Sequence, residues 1–296
     1  MDTIIYATDF SDSSKEALRY AYELSKRSGA QLLMLHVFDI PTIWNSETEG
    51  PTFEDITQDA REMKEQKLKD LFEAELNKET ESEEVRFEAR ESASPVLGIM
   101  ESIKDNHAGL IVMGTKGKNK AREFFIGSTT MSIVKQSSCP VLGVPEETNY
   151  QELNKILYAT DFDPNDLDAL KKLTEIADLY NTKILVEHIA ETTEKAPEQK
   201  LQILKSKVED AKIDERINFG LTIAQDIYAG LNEFVKQNDI DLLVMLEREH
   251  SGVNKWFHRD MVKRMEKHAS TPILTYNENS LMNIVELNEA DASQIG

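Results

Sequence analysis

The sequence is poor in cysteine and in positive charge, and it has no long apolar run. A single cysteine, Cys139, in 296 residues rules out an internal disulfide framework and any Cys-rich metal centre. Basic residues number 34 against 54 acidic ones, a formal net charge of -20. Nucleic-acid binding needs clustered Lys and Arg, so that class is disfavoured, as is adhesion to an anionic membrane. No stretch of about 18 apolar residues exists, so no membrane span is expected. The opening Met1-Asp2-Thr3-Ile4-Ile5-Tyr6 has neither a basic segment nor a long apolar run. The expectation is no signal peptide and a cytoplasmic location. What is present is ordinary globular material: 40% hydrophobic and 30% charged residues, at a length that suggests about two domains.

The chain repeats itself. Ile4-Ile5-Tyr6-Ala7-Thr8-Asp9-Phe10 returns as Ile156-Leu157-Tyr158-Ala159-Thr160-Asp161-Phe162, an offset of 152, which His36 and His188 share. Later the offset is 132: Leu110-Ile111-Val112-Met113 matches Leu242-Leu243-Val244-Met245, and Pro140-Val141-Leu142 matches Pro272-Ile273-Leu274. The second copy has therefore lost 20 residues (152 less 132), after its second strand. The expected units are residues 1–148, 149–277 and an acidic tail, 278–296.

Within a copy, apolar runs alternate with helical periodicity. Residues 3–8 read as a strand, and Ser13-x-x-Glu16 as a capping box opening a helix that Gly29 ends. Leu32 to Phe38 is nearly all apolar, as a strand covered on both faces would be. Residues 39–53 read as a loop, 54–80 as a charged helix, and Val85 to Ala89 as an outer strand. Ser94-Pro95 reads as an N-cap with proline at the first helical position. Strand four covers Leu110 to Met113, Gly127 opens a helix, and Pro140 to Val144 is strand five. The second copy repeats this with a shorter second helix near 197–212. Five strands alternating with four helices predict, in each copy, an α/β fold with a parallel sheet of order 3-2-1-4-5. Ligands of such sheets bind outside the carboxyl ends of the strands at the topological switch. That places attention on Thr8-Asp9 and on Gly114.

After strand four come Gly114-Thr115-Lys116-Gly117, nine residues, then Gly127-Ser128-Thr129 and a helix. Glycines let backbone amides approach an anion, and a helix start adds unpaired amides and a positive dipole end. Lys116, Lys118, Lys120 and Arg122 face only Glu123 between the glycines, a local positive excess in an acidic chain. The pattern is neither a P-loop nor G-x-G-x-x-G after strand one. It resembles the G-x2-G-x9-G-[ST] signature of the universal stress protein family. The turn Tyr6-Ala7-Thr8-Asp9-Phe10-Ser11 and His36-Val37 resemble that family's first and second strand ends. The likeness covers about residues 1–145 and 153–276, a tandem arrangement of two Rossmann-like domains.

This resemblance implies an ATP or AMP site in the first copy, with Mg2+ as a possible companion. Asp9 would lie near the ribose and phosphates, and Val37 against adenine. Gly114, Gly117, Gly127, Ser128 and Thr129 would hold phosphates, with Ala7, Thr8, Met113 and Lys118 in the same binding set. It further implies a stress-response regulatory role and pairing of the two copies through strand five as a pseudo-dimer within one chain. A homodimer of whole chains is a further option. No catalytic residue and no resident metal are expected, and ATP hydrolysis at most very weak. A nucleotide-free interaction module of the same fold is the alternative. An adenylating enzyme or ATP pyrophosphatase would want Ser-Gly-Gly-x-Asp-Ser or His-Ile-Gly-His after strand one, and Ala7-Thr8-Asp9-Phe10-Ser11 is neither.

The second copy departs from the signature. Gly114 becomes Leu246, Gly117 becomes Glu249, Gly127 becomes Arg259 and Ser128 becomes Asp260. Asp161 reads as a cap for the following helix, and Asp9 has the same option. His36 and His188 read as packed or hydrogen-bonded, Cys139 as buried, and Glu79 to Glu84 as a solvated helix end. His250, His258 and His268 form no clear ligand set. In the tail, Leu281, Met282, Ile284, Val285 and Leu287 leave open an added strand or a packed segment.

Overall fold

Strand β1 (Thr3–Ala7) is buried along its whole length, as a central strand of an α/β sheet must be. In a computed structural model of the chain, residues 2–40, 52–78, 84–115, 128–191, 195–247 and 271–282 are described. The first half contains α1 (Lys15–Ser28), β2 (Gln31–Phe38), α2 (Phe53–Leu76), β3 (Val85–Glu91), α3 (Pro95–Asp105), β4 (Ala108–Thr115), α4 (Ser128–Gln136) and β5 (Val141–Pro145). The second contains β6 (Lys155–Ala159), α5 (Asp166–Tyr180), β7 (Lys183–Ala190), α6 (Lys195–Asp210), β8 (Ile217–Ile223), α7 (Ile227–Gln237), β9 (Leu242–Glu247) and β10 (Ile273–Asn277). The fourth helix expected there falls on residues 248–270, outside the described ones.

The strands form one ten-stranded sheet, β3-β2-β1-β4-β5-β10-β9-β6-β7-β8. Each half keeps the order 3-2-1-4-5, but the two sheets are continuous. The join is the one antiparallel pairing among the described strands: Ile273 opposite Gly143, Leu274 opposite Leu142, and Thr275 opposite Val141. Leu142 and Leu274 are repeat equivalents, as are Val141 with Ile273 and Gly143 with Thr275. The pairing is therefore self-complementary about the Leu142–Leu274 pair, the signature of a twofold interface. It also covers two apolar edges that would otherwise invite aggregation.

Two apolar layers flank the sheet, and each runs through both halves. One gathers α1, α2, α5 and α6 around Tyr6, Leu18, Leu68, Leu142, Tyr158, Leu173 and Leu274. The other gathers α3, α4 and α7 around Ile5, Leu35, Ile99, Ile133, Leu157, Leu231 and Leu243.

Local details correct three expectations. Helix α1 does not start from a Ser13 capping box: a 3-10 turn, Asp12–Ser14, precedes it and Ser14 is the N-cap residue, with no side-chain cap bond. The Ser14 hydroxyl is instead committed to the Ser11 carbonyl at 2.7 Å and to Thr8 Oγ1 at 2.9 Å. Asp161 does not occupy the N-cap of α5; Asn165 does, because the chain turns through Phe162 (φ 61°) before the helix begins. Helix α2 begins with a capping box that the loop reading overlooked, Thr52 with Asp55. Gly29 closes α1 in the left-handed conformation (φ 70°) and Ser94 caps α3, both as expected. The first five tail residues, 278–282, are helical, and Leu281 is buried in the apolar layer rather than in an added strand.

Candidate functional site

The carboxyl ends of β2, β1 and β4 lie side by side, with Ala7 registered between Leu35 and Met113. These residues floor a cavity of about 300 Å³ whose described lining is Ala7, Thr8, Asp9, Ser11, Ser14, Leu35, Val37, Pro95, Ile99, Met113, Gly114, Thr129 and Thr130. This is the topological switch point between β1 and β4. One wall is apolar, from Leu35, Val37, Pro95 and Ile99. The other is polar, from the turn after β1 and the start of α4. Gly98 brings α3 onto this wall: a Cβ there would lie 2.7 Å from Val37 Cγ1, so any larger residue would push helix and wall apart.

The turn after β1 is heavily cross-linked. Thr8 Oγ1 accepts from Phe10 N at 2.9 Å, and Asp9 Oδ1 accepts from Ser11 N at 2.9 Å. Tyr6 Oη donates to the Ser14 carbonyl at 2.9 Å. Phe10 sits at φ 62°, an uncommon conformation for an aromatic residue, held by these bonds and by its ring against His36 at 4.3 Å. His36 Nδ1 donates to the Thr8 carbonyl at 2.8 Å. Burial lowers its pKa below the ordinary histidine value, against a smaller opposing effect of that hydrogen bond. The imidazole is thus a neutral brace for the turn. Asp9 remains exposed at the rim.

Of the residues singled out from sequence, Ala7, Thr8, Asp9, Val37, Met113, Gly114 and Thr129 line this one cavity. Ser128 is the first residue of α4. Gly117, Lys118 and Gly127 lie outside the described residues. Ser11, Ser14, Leu35, Pro95, Ile99 and Thr130 were not foreseen as lining. Leu35 and Ile99 read as ordinary core positions, and only the strand register and the packing of α3 turn them toward a cleft.

Among the described residues, the equivalent place in the second half is filled. Its cavity is about 10 Å³, lined by Ala159, Thr160, Glu187, Ile189, Ile227, Leu231, Met245 and Leu246. The turn is preserved, with Phe162 N donating to Thr160 Oγ1 at 2.8 Å and His188 Nδ1 to the Thr160 carbonyl at 2.8 Å. The lining has changed: Ile189 for Val37, Ile227 for Pro95, Glu187 for Leu35 and Leu246 for Gly114. Leu246 is 3% exposed, so its side chain occupies space that the glycine leaves open. Asp166 replaces Ser14 and draws the hydroxyls of Tyr158 and Thr160 to its carboxylate at 2.7 and 2.5 Å. Glu187 is buried, accepts from Thr222 Oγ1 at 2.7 Å, and has its pKa raised by burial. Gly220 makes room for it, since a Cβ there would lie 2.0 Å from Glu187 Oε2.

Elsewhere, Cys139 is buried and burial pushes its thiol up to about 11. Among the described residues there is no group of three side chains able to hold a metal ion and no helix long and apolar enough to cross a membrane. His250, His258 and His268 lie outside them.

Fold and cavity together define a duplicated α/β protein with an open cleft at the switch point of one half and, among the described residues, a nearly closed one in the other. A model of the universal stress protein family matches residues 1–145 and again 152–277. The chain belongs to that family, as a tandem member. A universal stress protein of Methanocaldococcus jannaschii is 30% identical over 142 residues, 48% of this chain and 80% of the relative. One from Staphylococcus epidermidis is 31% identical over 145 residues, 49% of this chain and 84% of the relative. The solved structure of an Archaeoglobus fulgidus universal stress protein superposes with a TM-score of 0.65, covering 93% of this chain and 98% of its own, at 16% identity. That last likeness is one of fold.

Proposed function

We propose that this protein is a stress-response regulatory protein that binds one adenine nucleotide, ATP or AMP, in the cleft of its first half. We take its units as residues 1–148, 149–277 and a tail from 278, working in the cytoplasm. The observation that carries this reading is the contrast between a cavity of about 300 Å³ in one half and about 10 Å³ in the other. The larger volume falls at the lower end of small-molecule sites, and it has their mixture of apolar wall and few polar groups. The flat face of Leu35, Val37, Pro95 and Ile99 suits a purine. The hydroxyls of Ser11, Thr129 and Thr130, and the amides at the start of α4, suit ribose and phosphate. The Gly114-x2-Gly117-x9-Gly127-Ser128 pattern supports the same end of the ligand.

The nucleotide acts as a bound signal rather than as a fuel. Phosphoryl transfer needs a positioned nucleophile and a metal held by carboxylates or hydroxyls. Asp9 is the one carboxylate among the described residues lining the cleft, and it already accepts a backbone hydrogen bond. A cleft that holds ground state and transition state alike gives affinity without turnover. Two measurements test the reading. Mass spectrometry of small molecules released from the purified, denatured protein should find an adenine nucleotide. Calorimetric titration should give one site per chain, lost in the double variant Gly127→Arg with Ser128→Asp, which imports the second copy's loop. Two equivalent sites, or none, would refute it. Phosphate release from excess ATP and Mg2+ should stay far below about 10 s⁻¹; turnover near that rate, abolished by Asp9→Asn, would mark an enzyme.

A further inference from the structure

The carboxyl end of α4 is closed by a residue from the other half of the chain. The last four carbonyls of a helix have no partner within it. At α4 two carbonyls in this region, those of Val134 and Ser137, accept from Asn277 Nδ2 at 2.7 and 2.9 Å. Asn277 is the last residue of β10 and 4% exposed. Its Oδ1 accepts from Ser280 N at 2.7 Å, while Ser280 Oγ accepts from Asn277 N at 2.9 Å. One amide thus serves two helical elements: the oxygen caps the final helical segment and the nitrogen anchors α4. The segment is itself held down, with Lys172 Nζ donating to the Ser280 carbonyl and Leu281 buried in the apolar layer.

The opposite end of α4 is the cleft. Thr129 and Thr130 line it, and the nine residues of the helix put the two ends only about 13 Å apart. A rigid element of that length carries restraint from one end to the other. The repeat equivalent of Asn277 is Pro145, which has no side-chain donor. The first half therefore cannot return the same contact. The link runs from the closed half to the half with the open cleft.

We propose that Asn277 is a positioning residue for the ligand site of the first half, a proposal that rests on the nucleotide reading above. Anchoring the far end fixes the tilt of α4 before ligand arrives, so less order has to be gained on binding. Linkage is reciprocal, so ligand at the start of α4 stiffens Asn277–Met282 in return. The geometry offers a discriminating substitution. Asn277→Asp keeps an oxygen able to cap the final segment but loses both donors and sets a negative charge beside a helix carboxyl end. Ser280→Ala does the converse, weakening the cap while leaving the donors.

The test uses the full chain and ATP as the probe. Calorimetry should show affinity falling roughly five- to tenfold in Asn277→Asp and in Asn277→Ala, and by less than about twofold in Ser280→Ala. Amide exchange at residues 134–138 and 277–282 should slow when ATP is added to the wild type, a ligand-dependent response that a merely structural contact would not give. That measurement needs no variant and stands even where a variant fails to fold. Wild type that binds ATP while exchange at 277–282 ignores it, or Asn277→Asp with wild-type affinity, would overturn the proposal and leave the nucleotide reading intact. Wild type that binds no ATP would overturn both.

Discussion

Leu142 and Leu274 face each other across the antiparallel join, and each is almost wholly buried, at 3% and 1% exposure. Both also line a small void of about 10 Å³ with Tyr20, Leu24, Leu110, Leu153, Ile176, Tyr180 and Leu242. Truncating either leucine to alanine removes three carbons from a packed site and enlarges that void. The walls come from two sheet halves and two helices and cannot close in far. The cost should therefore sit near the middle of the usual range for such changes, about 3 kcal/mol. Because the pair lies on the pseudo-twofold position, Leu142→Ala and Leu274→Ala should cost the same within about 1 kcal/mol. The second truncation loses contacts that the first has already removed, so the double variant should fall short of additivity by about 1 kcal/mol. Urea unfolding followed by tyrosine absorbance and by circular dichroism measures all three. Leu142→Pro should do more, since it also removes the backbone donor that β5 gives to β4 right beside the join, and should split one transition into two as the halves uncouple. Strict additivity of the two alanine variants, or costs differing by more than about 2 kcal/mol, would refute a self-complementary interface.

Three further outcomes are expected. Gly114→Leu, which imports the second half's side chain into the open cleft, should weaken ATP binding at least about fivefold, since overpacking a formed site costs about 1–3 kcal/mol; calorimetry reads it. Glu187 has a raised folded pKa, so its contribution is present below the ordinary carboxylate value of about 4.3 and is lost as pH rises through the raised value. Glu187→Gln should therefore raise the melting temperature at pH 8 and leave it nearly unchanged at pH 4, and equal gains at both pH values would contradict this. His36 and His188 have lowered pKa values through burial, so they should titrate below about 6.5 by NMR, with stability full above that value and lost as pH falls through the depressed ones.

The strand order and the place of the cleft were legible because the sequence says them twice. Two copies of one pattern, aligned at 152 and then at 132, turn ambiguous apolar runs into a shared set of strands. Reading failed where a side chain's partner lies outside its own local pattern. Ser13-x-x-Glu16 has the form of a capping box, yet the neighbouring Ser14 hydroxyl is drawn to Thr8 in the turn after β1, and the helix starts later. Thr52-x-x-Asp55 is a real capping box that sat unnoticed behind Pro51 in a loop-like stretch. Leu35 and Ile99 are core residues by composition and cleft residues only by register. Glu187 stands in a mostly apolar strand, and only Gly220 on the neighbouring strand explains how a carboxyl fits there. Asn277 ends a strand that reads as an edge, and its amide acts on a helix of the other half.

The two halves diverge in a patterned way. What the sheet join needs is kept in both copies, because a self-complementary pairing constrains each partner equally. What braces the turn after the first strand is also kept: Thr8 and Thr160, Phe10 and Phe162, His36 and His188 make the same contacts. What lines the cleft is not kept. There Gly114, Pro95, Val37 and Leu35 give way to larger or acidic residues, and the space is filled from within by Leu246, Ile227, Ile189 and Glu187. Filling a cleft adds buried apolar surface at about 25 cal/mol per Å². On the reading proposed above that half holds no nucleotide, and its packed switch point makes it a support for the other. The two halves meet at the sheet join and through both apolar layers, and the Asn277 amide adds a bond onto α4, a helix that starts at the open cleft.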